Sequence, residues 1–136
     1  MKSLMWFRND LRMDDNPALR NACIESEEVH AIYIFSSSQN NFHNEANCKI
    51  EFLIENLKIL DQELSKINIP LTIIDSTGFK DNKDIILNLI KERAINKVFW
   101  NNQFGNDEQN RDGQVIRSFK KNNIEFSTHH EKVIFS

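Results

Sequence analysis

His43, Asp107 and Glu108 are the residues whose types and positions best match ligand binding. His43 precedes a long apolar-periodic segment, and Asp107 and Glu108 open another. A carboxylate in the first turn of a helix is held ionised by the unpaired N–H groups and the helix dipole. It can accept two parallel hydrogen bonds from a ring with adjacent N–H and amino donors, an edge that pterins and related heterocycles present. A histidine beside such a ring supplies a flat partner or one more hydrogen bond. Capping accounts for Asp107 and Glu108 equally well, because acidic residues open helices for that reason alone.

A second concentration of polar groups follows the apolar run Leu4-Met5-Trp6-Phe7: Arg8, Asp10, Arg12, Asp14 and Asp15. Opposite charges this dense satisfy one another, so Arg12, Asp14 and Asp15 read as a structural network in which guanidinium groups bridge carboxylates and loop carbonyls. Arg8 and Asp10 stand closest to the strand end, placed to line a cleft or to meet another domain. No phosphate-binding glycine loop, nucleophile elbow or HExxH pair is present. His30, His43, His129 and His130 are scattered, and Cys23 and Cys48 have no metal-ligand neighbours. His129-His130 reads as an exposed strand end.

The elements that must position these residues alternate. Leu4–Phe7 is a short apolar run bounded by turn signals, the pattern of a strand buried on both faces. Asp15 or Asn16 caps a helix from about Pro17 to Ser26, with proline at its first position. Val29–Phe35 is a second strand, ending in a polar loop through Ser37. The long helix after His43 carries Ile50, Leu53, Ile54, Leu57, Leu60, Leu64 and Ile67 at three- and four-residue spacing, a stripe expected to lie on the sheet. Leu71–Asp75 is a third strand, and Asp81 or Asn82 caps a helix whose apolar face is Ile85, Ile86, Leu89 and Ile90. Asn96–Trp100 is a fourth strand, whose loop contains Gly105. A helix from about Asp107 to Lys121 turns Val115, Ile116 and Phe119 inward, and Ile124–Thr128 is a fifth strand. Strict alternation with long crossovers means an α/β fold: a doubly wound, Rossmann-like, five-stranded parallel sheet of order 3-2-1-4-5 with helices on both faces. In that order the loops after strands one, two and four converge at the switch point, so His43, Asp107 and Glu108 can meet around one ligand.

With 136 residues, 40% hydrophobic and 27% charged, the chain is one globular domain by size. A net charge of −3 argues against a DNA-binding surface on this domain, because phosphate binding needs clustered Lys and Arg. Two cysteines without a CxxC pairing fit a reducing compartment, and the opening apolar run is too short for a signal peptide or membrane span. A cytoplasmic location is the expectation.

Trp6-Phe7-Arg8-Asn9-Asp10-Leu11-Arg12, followed by Asp15-Asn16-Pro17-Ala18-Leu19, resembles the amino-terminal signature of DNA photolyases and cryptochromes. A second block about ninety residues on, Val98-Phe99-Trp100-Asn101 with Glu108 and Arg111-Asp112, resembles the same family's strand and "NE-R-RD" segment. The resemblance implies that residues 1–130 form the amino-terminal antenna domain and 131–136 begin a linker to an all-helical FAD domain. Light-driven repair of pyrimidine dimers is then the activity of the parent, with this domain alone not catalytic and Trp6 and Trp100 part of its core. It also implies a light-harvesting chromophore here. Methenyltetrahydrofolate would be held by His43, Asp107 and Glu108, where Asp107 replaces the family's more usual asparagine and exchanges an amide donor for a charge. A deazaflavin or flavin would instead sit in a deeper cleft near Arg8, Phe35 and Ser37. A cryptochrome photoreceptor domain and a free-standing nucleotide-binding-like α/β protein are the alternatives. Phe42, Phe104 and Phe135, in loops or at the terminus, mark a face that would meet the helical domain.

Overall fold

The computed structural model describes residues 1–35, 46–76, 82–103 and 106–130, with the side chains of 46–48 and 106–110 left aside. In chain order the elements are β1 (Lys2–Phe7), α1 (Pro17–Glu25), β2 (Glu28–Phe35), α2 (Ala46–Ser65) and β3 (Leu71–Asp75). They continue as α3 (Asn82–Arg93), β4 (Lys97–Asn101), α4 (Asn106–Lys121) and β5 (Glu125–His129). The five strands form one sheet of order β3-β2-β1-β4-β5, and every pairing is parallel. The doubly wound sheet expected from the alternation is the one observed.

Period-two alternation along β1 splits its side chains between two cores. Leu4 and Trp6 pack with Ile32, Val98 and Trp100 beneath α3 and α4, which contribute Ile85, Ile86, Leu89, Ile90, Val115 and Phe119. Met5 and Phe7 face the opposite way, toward Ala18, Leu19 and Ala22 of α1 and Leu60 and Leu64 of α2. Helices therefore cover both faces, and the central strand is buried on both, which its apolar run required. Trp6 and Trp100 meet edge to face with ring centroids 5.6 Å apart, and Trp100 also stacks on Phe126 at 5.5 Å. Both indoles are fully buried core residues, as expected.

Two sequence expectations change. Among the described side chains of α2 only Leu57, Leu60 and Leu64 are buried, whereas Ile54 and, past the helix, Ile67 are exposed. The contact stripe is narrower than the apolar pattern: Ile54 lies on its flank and Ile67 falls beyond the helix end. His129 is the second change. It ends β5 but is half-buried, stacked on Phe99 with centroids 6.2 Å apart. The Ser37 loop, Phe42, His43, the Asp81 cap, Phe104, Gly105, Phe135 and the 131–136 linker lie outside the described residues.

Three of the four helix-to-strand corners share one device, the exception being the corner after α1, where Ser26 is extended. Asn68, Ala94 and Asn123 take positive φ values of 62°, 54° and 58° after α2, α3 and α4. The next amide in each case bonds back five residues: Ile69 N to Leu64 O at 3.0 Å, Ile95 N to Ile90 O at 3.0 Å, and Ile124 N to Phe119 O at 2.9 Å. This is the Schellman arrangement, with a left-handed residue reversing the chain and an apolar residue tucked behind it. Each of the three corners returns the chain to the sheet at the start of the next strand, leaving the opposite edge to the loops that follow the strands.

Candidate functional site

At the carboxyl end of β1 and β4, the switch point of the sheet, the charged sequence after Phe7 folds into a buried polar network. Arg8 and Asp112 are only 5% and 7% exposed. Their side chains meet as a two-pronged pair, Nη1 to Oδ1 at 2.7 Å and Nη2 to Oδ2 at 2.9 Å. Arg8 Nη2 also donates to the carbonyl of Asn101 at 2.7 Å. The planar fork of arginine matches a carboxylate in this way, and the geometry fixes direction as well as distance.

The network continues through amides. The Arg8 backbone N–H donates to Asp10 Oδ1 at 2.8 Å, and Asp10 Oδ2 accepts from Asn101 Nδ2 at 2.6 Å. Asn101 Nδ2 donates as well to Asn16 Oδ1 at 2.7 Å, while Asn101 Oδ1 accepts from Ala18 N at 3.1 Å. Asn16 is the N-cap of α1: its Oδ1 accepts from Leu19 N at 3.1 Å, and Pro17 follows at the first helical position. Its Nδ2 holds the loop by donating to Arg12 O at 2.9 Å. Arg12 in turn donates from Nε to Asp14 O at 3.0 Å and from Nη2 to Asp15 O at 3.2 Å. Asp15 itself takes φ 49°, which a short polar side chain tolerates. The structural reading of Arg12, Asp14 and Asp15 is the one this geometry supports.

The Trp6 ring lies against two cations, Arg8 at 4.7 Å and Arg111 at 5.3 Å from guanidinium carbon to ring centroid. Arg111 also donates to Gln103 Oε1 and, from Nε, to Asp112 Oδ1 at 3.4 Å. Arg8 Nε and Trp100 Nε1 are buried N–H groups with no hydrogen-bond partner among the described residues.

Of the site residues expected from sequence, Arg8 is in this network with both of its Nη groups engaged. Asp107 and Glu108 fall in the first turn of α4. Ser37 and His43 lie outside the described residues. Asn16, Asn101 and Asp112 were not singled out as site residues, yet they join Arg8 to three elements. Asp112 had a signal: it stands three and seven residues before Val115 and Phe119, which places a carboxylate on the buried face of α4.

Farther along the same edge, His129 Nδ1 lies 3.4 Å from Asn21 Nδ2, and its Nε2 lies 2.9 Å from Ser127 Oγ. The Asn21 amide also donates to Pro17 O at 2.8 Å, so its nitrogen faces the ring and Nδ1 accepts. The proton is then on Nε2. Burial pushes the imidazole below its ordinary value, with Lys97, Arg20 and His130 acting in the same direction against Glu25. No cluster of three or more His, Cys, Asp or Glu residues among the described residues is placed to hold a metal ion.

The network joins the sequence's two signature blocks at one place. The family model described as DNA photolyase matches residues 3–136. The chain belongs to the DNA photolyase family. A deoxyribodipyrimidine photo-lyase of Buchnera aphidicola (subsp. Acyrthosiphon pisum) is 33% identical over 137 residues, covering 99% of this chain and 28% of that protein. The Escherichia coli K12 deoxyribodipyrimidine photo-lyase is 33% identical over 118 residues, covering 86% of this chain and 25% of its own length. The chain therefore spans about a quarter of the photolyases it matches. The fold agrees: an archaeal photolyase from Sulfolobus tokodaii superposes with a TM-score of 0.81 at 23% identity, over 96% of this chain and 29% of that one. That structure is described as holding two FAD molecules, with the implication of a novel light-harvesting cofactor. No helix among the described residues of this photolyase-family domain is long and apolar enough to cross a membrane.

Proposed function

We propose that the chain is the amino-terminal light-harvesting domain of a deoxyribodipyrimidine photolyase. In this reading residues 1–130 are the domain and 131–136 begin the linker. The domain binds an antenna chromophore and passes its excitation energy to FAD in a helical domain of the same parent chain. There the reduced flavin donates an electron to a pyrimidine dimer in DNA and recovers it after the ring splits. The observation that carries the reading is the 33% identity to a photolyase over 99% of the chain. The plant blue-light photoreceptor PHR2 and cryptochrome-1 are more distant, at 26% and 28%.

An antenna domain makes and breaks no bonds; it holds a chromophore rigidly at a fixed distance and orientation from the acceptor. Methenyltetrahydrofolate is the chromophore favoured here, with Glu108 accepting from the pterin's N–H and amino edge, Asp107 beside it and His43 completing the site. A deazaflavin or flavin in the cleft near Arg8 and Ser37 is the other chemistry the family offers. DNA contact falls to the helical domain, in keeping with the net charge of −3 on this one, and the cytoplasm is the proposed location.

The test compares methenyltetrahydrofolate binding by the wild-type chain with binding by His43→Ala and Glu108→Ala, read as a change in ligand absorption. Saturable binding weakened in both variants supports the reading. Equal affinity in all three chains removes the site from these residues.

A further inference from the structure

Among the described side chains of α4, Asp112 is the only buried one ahead of Val115. That carboxylate is an anchor of this helix against the sheet edge. The ties that Asp112 makes to Arg8 run on to the ends of β1 and β4. Arg8, just past β1, grips Asp112 with two bonds of 2.7 and 2.9 Å and grips the last residue of β4 through the Asn101 carbonyl at 2.7 Å. The neighbouring Arg111 bonds Gln103, in the connection between β4 and α4, and lies 5.3 Å from the Trp6 ring centroid. Glu108 precedes Asp112 by four residues on the same helix, about one turn.

We propose that Arg8 and Asp112 are positioning residues: their paired bonds set the rotation and height of the first turn of α4 over the switch point, and with it the carboxylates that receive the antenna chromophore. Arg8 acts on the chromophore through α4 rather than by touching it. The proposal rests on the antenna reading for its ligand, but its mechanical part does not. An apolar contact of the same area could hold the helix down while letting it slide or turn. A forked ion pair fixes two points on each partner and permits neither. The arrangement also gives the two signature blocks a common purpose, since one supplies the arginine and the other the helix it steers.

The test uses Arg8→Met/Asp112→Leu, which removes the pair without leaving a buried charge, and Asp112→Glu, which keeps the charge but moves the carboxylate outward by one methylene. Amide hydrogen exchange is followed at residues 110–114, whose N–H groups bond back to the carbonyls of the first turn, with the strand amides of β1 and β4 as internal controls. Methenyltetrahydrofolate affinity is measured alongside, alone and in a Glu108→Ala background. The expected result is exchange at 110–114 faster by about tenfold with the strands unchanged. Affinity falls on the order of tenfold, and no further loss appears once Glu108 is gone. Unchanged exchange at 110–114 in a folded double variant overturns the inference whether or not folate binds. If the double variant does not fold, the same comparison in Asp112→Glu decides by the same criterion. A wild-type chain that binds no folate counts against the antenna reading and leaves the exchange comparison to judge the pair.

Discussion

Arg8 and Asp112 carry opposite charges in a place nearly closed to water, and such a pair is energetically asymmetric. Removing one partner strands the other charge, at a cost of about 3–5 kcal/mol, whereas replacing both with apolar groups of similar volume is often close to neutral. Asp112→Ala is therefore expected to destabilise the domain by about 3–5 kcal/mol in urea unfolding, with a much smaller loss in Arg8→Met/Asp112→Leu. Equal losses in the two variants contradict the pairing. His129 makes a different residue-scale prediction. Its folded-state pKa lies below the ordinary value of 6.5, so the unfolded chain binds the proton more readily. Its contribution to stability is complete above about pH 6.5 and declines as the pH falls through that range toward the folded pKa. His129→Phe, which keeps an aromatic ring against Phe99, should flatten the fall in stability below about pH 6.5; an unaltered profile means that the ring titrates freely. The sequence located Arg8 and the His129 strand end but not their burial. Whether a charged residue faces inward depends on a partner about a hundred residues away, and no local pattern around Arg8 announces Asp112.

At the scale of elements, helix starts were more legible than helix ends. Asn16-Pro17 announces the start of α1 chemically, and the structure uses both residues as their types require. The three left-handed corners were not evident, because Asn68, Ala94 and Asn123 occupy positions where glycine is usual. Asparagine tolerates this conformation and alanine resists it, since its Cβ crowds the carbonyl oxygen. Ala94→Gly is accordingly expected to stabilise the domain by about 0.5–1 kcal/mol, the relief at φ 54° exceeding the added entropy of the unfolded chain. Glycine in the middle of α3 has the opposite effect: Leu87→Gly, which also removes a side chain packed on the core, should cost more than about 1 kcal/mol. A destabilised Ala94→Gly in thermal or urea unfolding means that the corner is unstrained. The apolar stripe of α2 shows the complementary limit. Periodicity identified the helix and its buried face, but the width of the contact depends on how the helix lies across β2 and β3, which spacing alone does not encode.

For the whole molecule, the order β3-β2-β1-β4-β5 was legible because few topologies remain once strands and helices alternate and crossovers keep one hand. The doubly buried β1 then selects the centre of the sheet, and the switch point beside it selects the place for a ligand. The buried network at that place joins β1, α1, β4 and α4 into a rigid rim. An antenna needs such a rim, because energy transfer depends on holding two chromophores at a fixed separation and angle. The most direct measurement of the central claim is a titration of the folded chain with methenyltetrahydrofolate, a deazaflavin and a flavin. Binding is read both from ligand absorption and from quenching of Trp6 and Trp100, whose near-ultraviolet emission such a ligand can accept. The antenna reading predicts saturable one-to-one binding, with methenyltetrahydrofolate the tightest of the three. A chain that remains folded and binds none of them would contradict it.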